Sequence, residues 1–291
     1  MSMLCIGQST YDISLPIDGW ITENMKYRVY DKLECPGGPA TNAAILLGKW
    51  HEEVYLLSRI GSDTYGSEIK KFLKKTHVHH IAIPDSEFVT PLSVILLNKT
   101  NALRTILNCP GVLQETSVAI VKGEIDVILT DGHELEVSLQ FLNHYPNAKS
   151  VLDAGSLNER TLPLAKVVTY LVCSETFANQ YTNMPVDITK PETWRTVFDK
   201  LNELNKNVVI TLGERGVLYE EDGTIVNIPS FPVKAIDTNG AGDIFHGAFA
   251  YGLEHNMPLK DILIMASKTS SISVTRRGGS TSIPEREEVS I

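Results

Sequence analysis

Cysteine is scarce in this chain and long apolar runs are missing. Four cysteines occur among 291 residues, Cys5, Cys35, Cys109 and Cys173, and no pair has metal-ligand or redox spacing. In a chain this long that pattern predicts reduced thiols rather than a disulfide scaffold. The longest stretch free of Asp, Glu, Lys and Arg runs from Cys35 to Gly48, too short to span a bilayer. No basic residue precedes Lys26, so the positive start of a secretory leader is lacking. Basic charge is also in deficit, with 26 Lys and Arg against 35 Asp and Glu and a net charge of −9. That balance argues against a nucleic-acid partner. It leaves small anions open, because local dipoles bind those. The expectation is a cytoplasmic protein without membrane or nucleic-acid contacts.

Short apolar runs alternate with amphipathic ones. Strand-like segments are Val54–Ser58, Val127–Asp131, Ser150–Asp153, Thr169–Cys173 and Val208–Leu212. Helical patterns lie between them at Ala40–Trp50, Ser67–Lys75, Glu134–His144, Glu192–Leu204, Ala241–Leu253 and Leu259–Val274. Near-continuous apolar strands alternating with helices predict a three-layer α/β fold, a parallel sheet with helices on both faces. Two places break the rhythm. Lys26–Cys35 alternates along Tyr27, Val29 and Leu33, and Leu92–Leu97 with Arg104–Leu107 reads as a hairpin around Asn98–Ala102. These pieces predict a small antiparallel β lid, inserted at about residues 10–36 and 90–109 of a single domain spanning 1–291. No repeat, low-complexity tract or linker divides the chain.

The segment from Asp237 to Phe245, D-T-N-G-A-G-D-I-F, is a glycine-rich turn running into an apolar helix. Gly240, Ala241 and Gly242 let backbone approach an anion where the helix offers free N–H groups and its positive end. Asp243 repels a phosphate there unless it has a task, such as taking the proton of an attacking hydroxyl; otherwise it is an ordinary first-turn acid. The segment is neither a Walker A loop, since Ala43 stands where Gly48-Lys49 requires glycine, nor a dinucleotide fingerprint, since Phe245 replaces the third glycine. A nicotinamide oxidoreductase is disfavoured accordingly.

Three further segments bear polar groups at turns. In Cys35–Ala44 a Gly37-Gly38 turn opens a helix carrying Asn42, a donor and acceptor for ligand hydroxyls, or forms only a tight turn. Thr211 and Gly213 end a strand where phosphates can sit, or belong to a plain hairpin. Asp12, after the first strand, can accept two sugar hydroxyls or lie in a solvated turn. His77-Val78-His79-His80 is expected as a loop or edge segment rather than a metal site. Lys70, Lys71, Lys74 and Lys75 read as a solvated helix face, and His246 as helix packing.

In this order and spacing, Gly37–Asn42 and Asp237–Asp243 resemble the two signatures of the ribokinase-like (PfkB) carbohydrate kinases, with Asn239 in place of a more frequent threonine. The tail Val274–Pro284 is similar as well, and the resemblance spans nearly the whole chain. It implies ATP as donor with Mg²⁺ and a sugar hydroxymethyl as acceptor. It implies Asp243 as base, the amides of Gly240, Ala241 and Gly242 as anion hole, and Asp12, Gly38 and Asn42 around the sugar. It places Gly213 beside the nucleotide phosphates. It also implies K⁺ near Asp237 and the Ser280 region, and a homodimer paired through the lid.

The sequence departs from the family in places. The N-x-x-E motif that orders Mg²⁺ reads Ser174-Glu175-Thr176-Phe177, and the lysine that follows the Gly-Gly pair in ribokinases is Pro39. Asn101–Ile106 and Thr130–Glu134 look closer to ketohexokinase-type enzymes. That likeness adds Arg104, on the lid hairpin, and Asp131 as sugar contacts; a surface arginine and a capping aspartate are the plain alternatives. A nucleoside kinase of the same fold and a sugar-binding regulatory protein without turnover are the competing functions.

Overall fold

The protein is described here by a computed structural model covering residues 2–114, 118–120 and 123–290. The chain begins with β1 (Met3–Ile6), β2 (Thr10–Ile17) and β3 (Leu33–Gly37), then α1 (Pro39–Lys49), β4 (Val54–Ser58) and α2 (Thr64–Lys75). Next come β5 (Val78–Ala82), β6 (Leu92–Asn98), β7 (Arg104–Cys109), β8 (Val127–Thr130) and α3 (Leu135–His144). The central part holds β9 (Lys149–Ala154), α4 (Thr161–Ala165), β10 (Tyr170–Ser174), α5 (Glu175–Thr182) and α6 (Pro191–Leu201). The last part holds β11 (Val208–Thr211), β12 (Val217–Glu221), β13 (Thr224–Ile228), α7 (Ala241–Glu254) and α8 (Leu259–Ser273).

Nine strands form one sheet in the order β13-β12-β11-β10-β9-β8-β1-β4-β5. The seven from β11 to β5 are parallel, and β12 and β13 add an antiparallel edge after the turn at Gly213–Arg215. Both faces of the central strands are covered, as their apolar runs require. On β1, Met3 and Cys5 pack with α1, α2, α7 and α8, while Leu4 and Ile6 face the α3 side. Toward the other end of the sheet, Leu152, Leu171 and Ile210 pack against α4, α5 and α6. Each such fully buried aliphatic side chain contributes roughly 1.5–3 kcal/mol.

The second sheet runs β3-β2-β6-β7. Its outer pairings are antiparallel, but β2 and β6 run parallel, Tyr11 opposite Leu92 through Ile17 opposite Asn98. The chain passes through α1, β4, α2 and β5 of the main layers before returning, so it re-enters in the same direction. The alternation at Lys26–Cys35 is not a strand along its length: only Leu33–Gly37 pairs, and residues 18–32 hold no strand or helix. Tyr27, on the alternating face, is 44 % exposed and Val29 only half-buried, so that face has nothing to pack against. The four-residue His77–His80 stretch falls largely on β5, the sheet edge. Two helices, α4 and α5, lie where no amphipathic run was evident; they are five and eight residues long, too short for a clear period. No described helix is long and apolar enough to cross a membrane.

Candidate active site

Two helix starts meet above the carboxyl ends of the parallel strands. Helix α1 follows Gly38, whose φ of 96° suits glycine and whose Cβ would lie 2.4 Å from the Gln8 carbonyl oxygen. Helix α7 follows Gly240, in the left-handed region at φ 74°, where a Cβ would lie 2.8 Å from Gly279 Cα. Backbone therefore approaches backbone at both starts. Lower down, the helices touch where Gly247 faces Ala43, its Cβ position 3.0 Å from Ala43 Cα. This contact brings the front and rear motifs of the chain together.

At the junction, Asn42 Nδ2 donates to Asp243 Oδ2 over 2.7 Å. Helix α7 has no side-chain cap, and the amides of Gly242 and Asp243 make no hydrogen bond among the described residues. Ala241 N makes only a 3.4 Å contact with the Thr238 carbonyl. Gly242 faces open space. The result is a helix start with free donors beside a carboxylate, suited to an anion. Burial pushes the Asp243 carboxyl above its usual range; the Asn42 bond and the neighbouring His246 and Arg104 side chains oppose this, and Asp131 adds to it.

Asp12 comes from β2, opposite Cys35 on β3 and Ser93 on β6. Its carboxylate lies over Gly37, where a Cβ would sit 2.2 Å from Oδ2. Oδ2 accepts from Asn239 Nδ2 at 3.3 Å. Asp12 Oδ1 and Asn42 Oδ1 are buried acceptors without a partner among the described residues. Burial raises the Asp12 pKa to about 6; the Asn239 bond opposes this, and the charges of Asp243 and Asp237 reinforce it. Two unpaired acceptors on adjoining elements suit a ligand with several hydroxyl donors.

The remaining expected residues divide. Asp237 is 1 % exposed and clamps two loops, Oδ1 accepting from Asn239 N and Oδ2 from Gly278 N. Ser280 Oγ donates to the Pro36 carbonyl. One carboxylate already holding two amides and one engaged hydroxyl do not by themselves make a K⁺ site. Asp131 is scaffold: Oδ2 accepts from Gln8 N and Ala40 N, and Oδ1 from His133 N. Arg104, exposed on β7, donates from Nη1 to Thr238 Oγ1 at 2.7 Å, joining the lid to the loop before α7. Thr211 and Gly213 lie at the end of β11, Gly213 with open space before it.

The position that orders Mg²⁺ in the family does not fit that task here. Ser174 Oγ caps α5 by accepting from Phe177 N and donates to the Gly155 carbonyl, Phe177 is fully buried, and Glu175 pairs with Arg215.

His246 and Asp153 form a pair that no sequence pattern marks. His246 is buried; Nδ1 lies 2.6 Å from the Gly242 carbonyl oxygen and Nε2 lies 3.0 Å from that of Val172. Asp153 Oδ2, at the end of β9, is 3.2 Å from Nδ1. Burial lifts Asp153 to about 7; His246 pulls it down, and Asp243 and Asp131 push it up. The ending of β9 in an acid was the available signal, but nothing local pairs it with a helix 90 residues away.

The profile of the pfkB family carbohydrate kinases matches residues 2–286. The chain belongs to this family. It is thus an ATP-dependent sugar kinase, a phosphotransferase. Relatives of this pfkB kinase include the ribokinase of Schizosaccharomyces pombe, 29% identical over 270 residues, covering 87% of this chain and 85% of the relative. The deoxyribokinase of Salmonella typhi is 27% identical over 293 residues, covering 96% and 92%. Among solved structures, ribokinase from Thermotoga maritima superposes with a TM-score of 0.80 at 27% identity, covering 99% of this chain and 97% of that one. Arabidopsis thaliana ribokinase, complexed with ribose and ATP, gives 0.80 at 21% identity, covering 99% and 96%, and supports the fold.

Proposed function

We propose that this pfkB kinase moves the γ-phosphoryl of ATP to a sugar hydroxymethyl group, with Asp243 as the base. The observation that carries the reading is the Asn42–Asp243 bond at a helix start with free amides. Sugar hydroxyls donate to Asp12 Oδ1 and Asn42 Oδ1, two buried acceptors at this junction without a partner among the described residues. Gly38, with its bare backbone, lets the sugar lie against α1. The γ-phosphoryl lies against the Gly242 and Asp243 amides, with Gly240 and Ala241 shaping the turn. Its charge there gains about 0.3–2 kcal/mol from the helix dipole alone. Thr211 and Gly213 flank the remaining nucleotide phosphates.

Phosphoryl transfer has a loose transition state, so positioning and charge stabilisation supply most of the rate. Asp243 accepts the hydroxyl proton as the new bond forms. Its raised pKa, due first to burial, makes it a better proton acceptor than a solvated aspartate. Arg104 holds the lid against Thr238, which excludes water from the transfer.

The sugar reading is tested by ADP release across ribose, deoxyribose, fructose, other pentoses and hexoses, and adenosine, with wild type and Asp243→Asn. Ribose and deoxyribose enter through the relatives' names, fructose through the ketohexokinase-like segments, and adenosine tests the nucleoside-kinase alternative. Acceptor-dependent ADP release abolished in Asp243→Asn is expected. Sugar binding without ADP release across the panel would favour a regulatory protein, the reading prompted by Phe177. The lid bears exposed Leu103, Ile106 and Leu107 on or beside its edge strand β7; pairing of two lids into a homodimer is checked by light scattering.

A further inference from the structure

The acceptor end of the site continues into a second cleft that carries basic side chains among its acids. A cavity of about 140 Å³ lies beside Gly7, Gln8, Ser9, Arg59, His133 and Arg160. A wider one of about 390 Å³ opens over Asp131, Gly132, His133, Asn158 and Arg160. His133 and Arg160 border both. Gln8 joins the smaller cavity to the sugar site, because its carbonyl lies against Gly38. Asp131, which borders the wider cavity, reaches the same helix start, accepting from Ala40 N, two residues before Asn42.

The basic groups of this cleft are not equivalent. Arg59 is neutralised: it pairs with Glu134 and Asp85, each at 3.0 Å, and donates to the Gln114 carbonyl at 2.7 Å. Arg160 is half-buried, and its guanidinium makes no ion pair or hydrogen bond with the described residues; only its backbone N is engaged, by Asn158 Oδ1. His133 Nδ1 lies 3.2 Å from Asp131 Oδ1. Burial and the neighbouring charge of Arg160 oppose a charged His133, but the Asp131 charge and bond, with Asp153, prevail and raise its pKa. The acids around it are mostly engaged, Asp131 by amides, Glu134 and Asp85 by Arg59 and Asp153 by His246, which leaves exposed Glu159 at the rim. An unpaired planar fork of donors beside a donor imidazole matches an oxyanion, carboxylate or phosphate.

We infer that the acceptor is an anionic carbohydrate, its carboxylate or phosphate held by Arg160 and His133 while its hydroxymethyl faces Asp243. This rests on the kinase reading of the Asp243 site, and it departs from the neutral sugars in the relatives' names. Asp131 is then a positioning residue that aims His133 while tying β8 to α1.

The test is calorimetric binding to the full chain of gluconate and fructose 6-phosphate against their neutral parents, glucose and fructose. ADP release is followed on the same four compounds. Wild type, Arg160→Ala and Arg160→Lys are compared, with thermal melting to confirm the fold. At least one anionic sugar should bind wild type about tenfold or more tighter than its parent, and Arg160→Ala should weaken it about 10–100-fold. Arg160→Lys should restore part of that loss, and neutral sugars should respond to neither change. Which anion gains shows whether the cleft takes carboxylate or phosphate. Anionic sugars that bind no tighter than neutral ones, or an Arg160→Ala loss equal for both classes, would overturn the inference while leaving ADP release as evidence for the kinase. Anion binding that depends on Arg160 without ADP release would uphold the cleft as an anion site and overturn its role in presenting the acceptor to Asp243.

Discussion

Asn42 and Asp243, 201 positions apart in the chain, share a 2.7 Å hydrogen bond at the junction of two helix starts. The bond aims one carboxylate oxygen and fixes the amide that faces the acceptor. Asp243→Asn should keep sugar affinity within a few-fold and lower kcat by roughly 10²–10⁴, read by steady-state ADP release. A variant with near-wild-type kcat would remove Asp243 from the base role.

Asp12 should trade stability for binding. Its folded pKa of about 6 lies above the usual 3.8. Its contribution is therefore complete below the unfolded value and lost as pH rises through about 6. The shift corresponds to about 3 kcal/mol at most. Asp12→Asn should make the ligand-free protein more stable than wild type at pH 8 and confer no such gain at pH 4, measured by urea melts. The same variant should bind the acceptor at least about tenfold more weakly, because a carboxylate acceptor is replaced by a neutral one.

His246, on the buried face of α7, ties that helix to Val172 of β10 and Asp153 of β9. Replacing it with Leu leaves the Gly242 and Val172 carbonyls and Asp153 without their ring contacts. A loss of about 1–3 kcal/mol in stability is expected, together with a fall in kcat larger than any change in sugar KM. His246→Asn, which keeps one donor, should recover part of both. Equal effects on kcat and KM would argue against a role in shaping the helix start.

Gly240→Ala should destabilise the protein by about 1–3 kcal/mol, because a side chain is forced into the left-handed region. Its Cβ would also meet Gly279 at 2.8 Å. Gly242→Ala, with nothing in its way, should leave the melting temperature unchanged and raise the KM for ATP.

Arg104→Ala tests the lid contact. Arg104 is exposed, so the melting temperature should stay put. Loss of its bond to Thr238 should raise acceptor KM and increase ATP hydrolysis without acceptor.

Much of this was legible along the chain. The alternation of apolar strands and helices predicted the layered sheet, because burial on both faces leaves its mark residue by residue. Gly38 and Gly240 were identifiable because local backbone geometry demands glycine there, and Asp243 because a carboxylate is out of place beside amides suited to an anion. Lys26–Cys35 misled for the same reason: alternation signals a strand only where a partner covers it, and most of that segment has none.

Long-range pairings left no comparable mark. The parallel meeting of β2 with β6, the Asn239 bond to Asp12 and the His246–Asp153 contact join segments far apart, and no local pattern encodes which of many polar groups will meet. Asp131 and Arg160 make the point: each is an ordinary polar residue by type, yet packing gives one to backbone amides and leaves the other unpaired. The chain by itself determined which stretches become strands, helices and glycine turns, since those depend on neighbours a few residues away. Which carboxylates became clamps and which were left with free oxygens was decided only when α1 closed on α7.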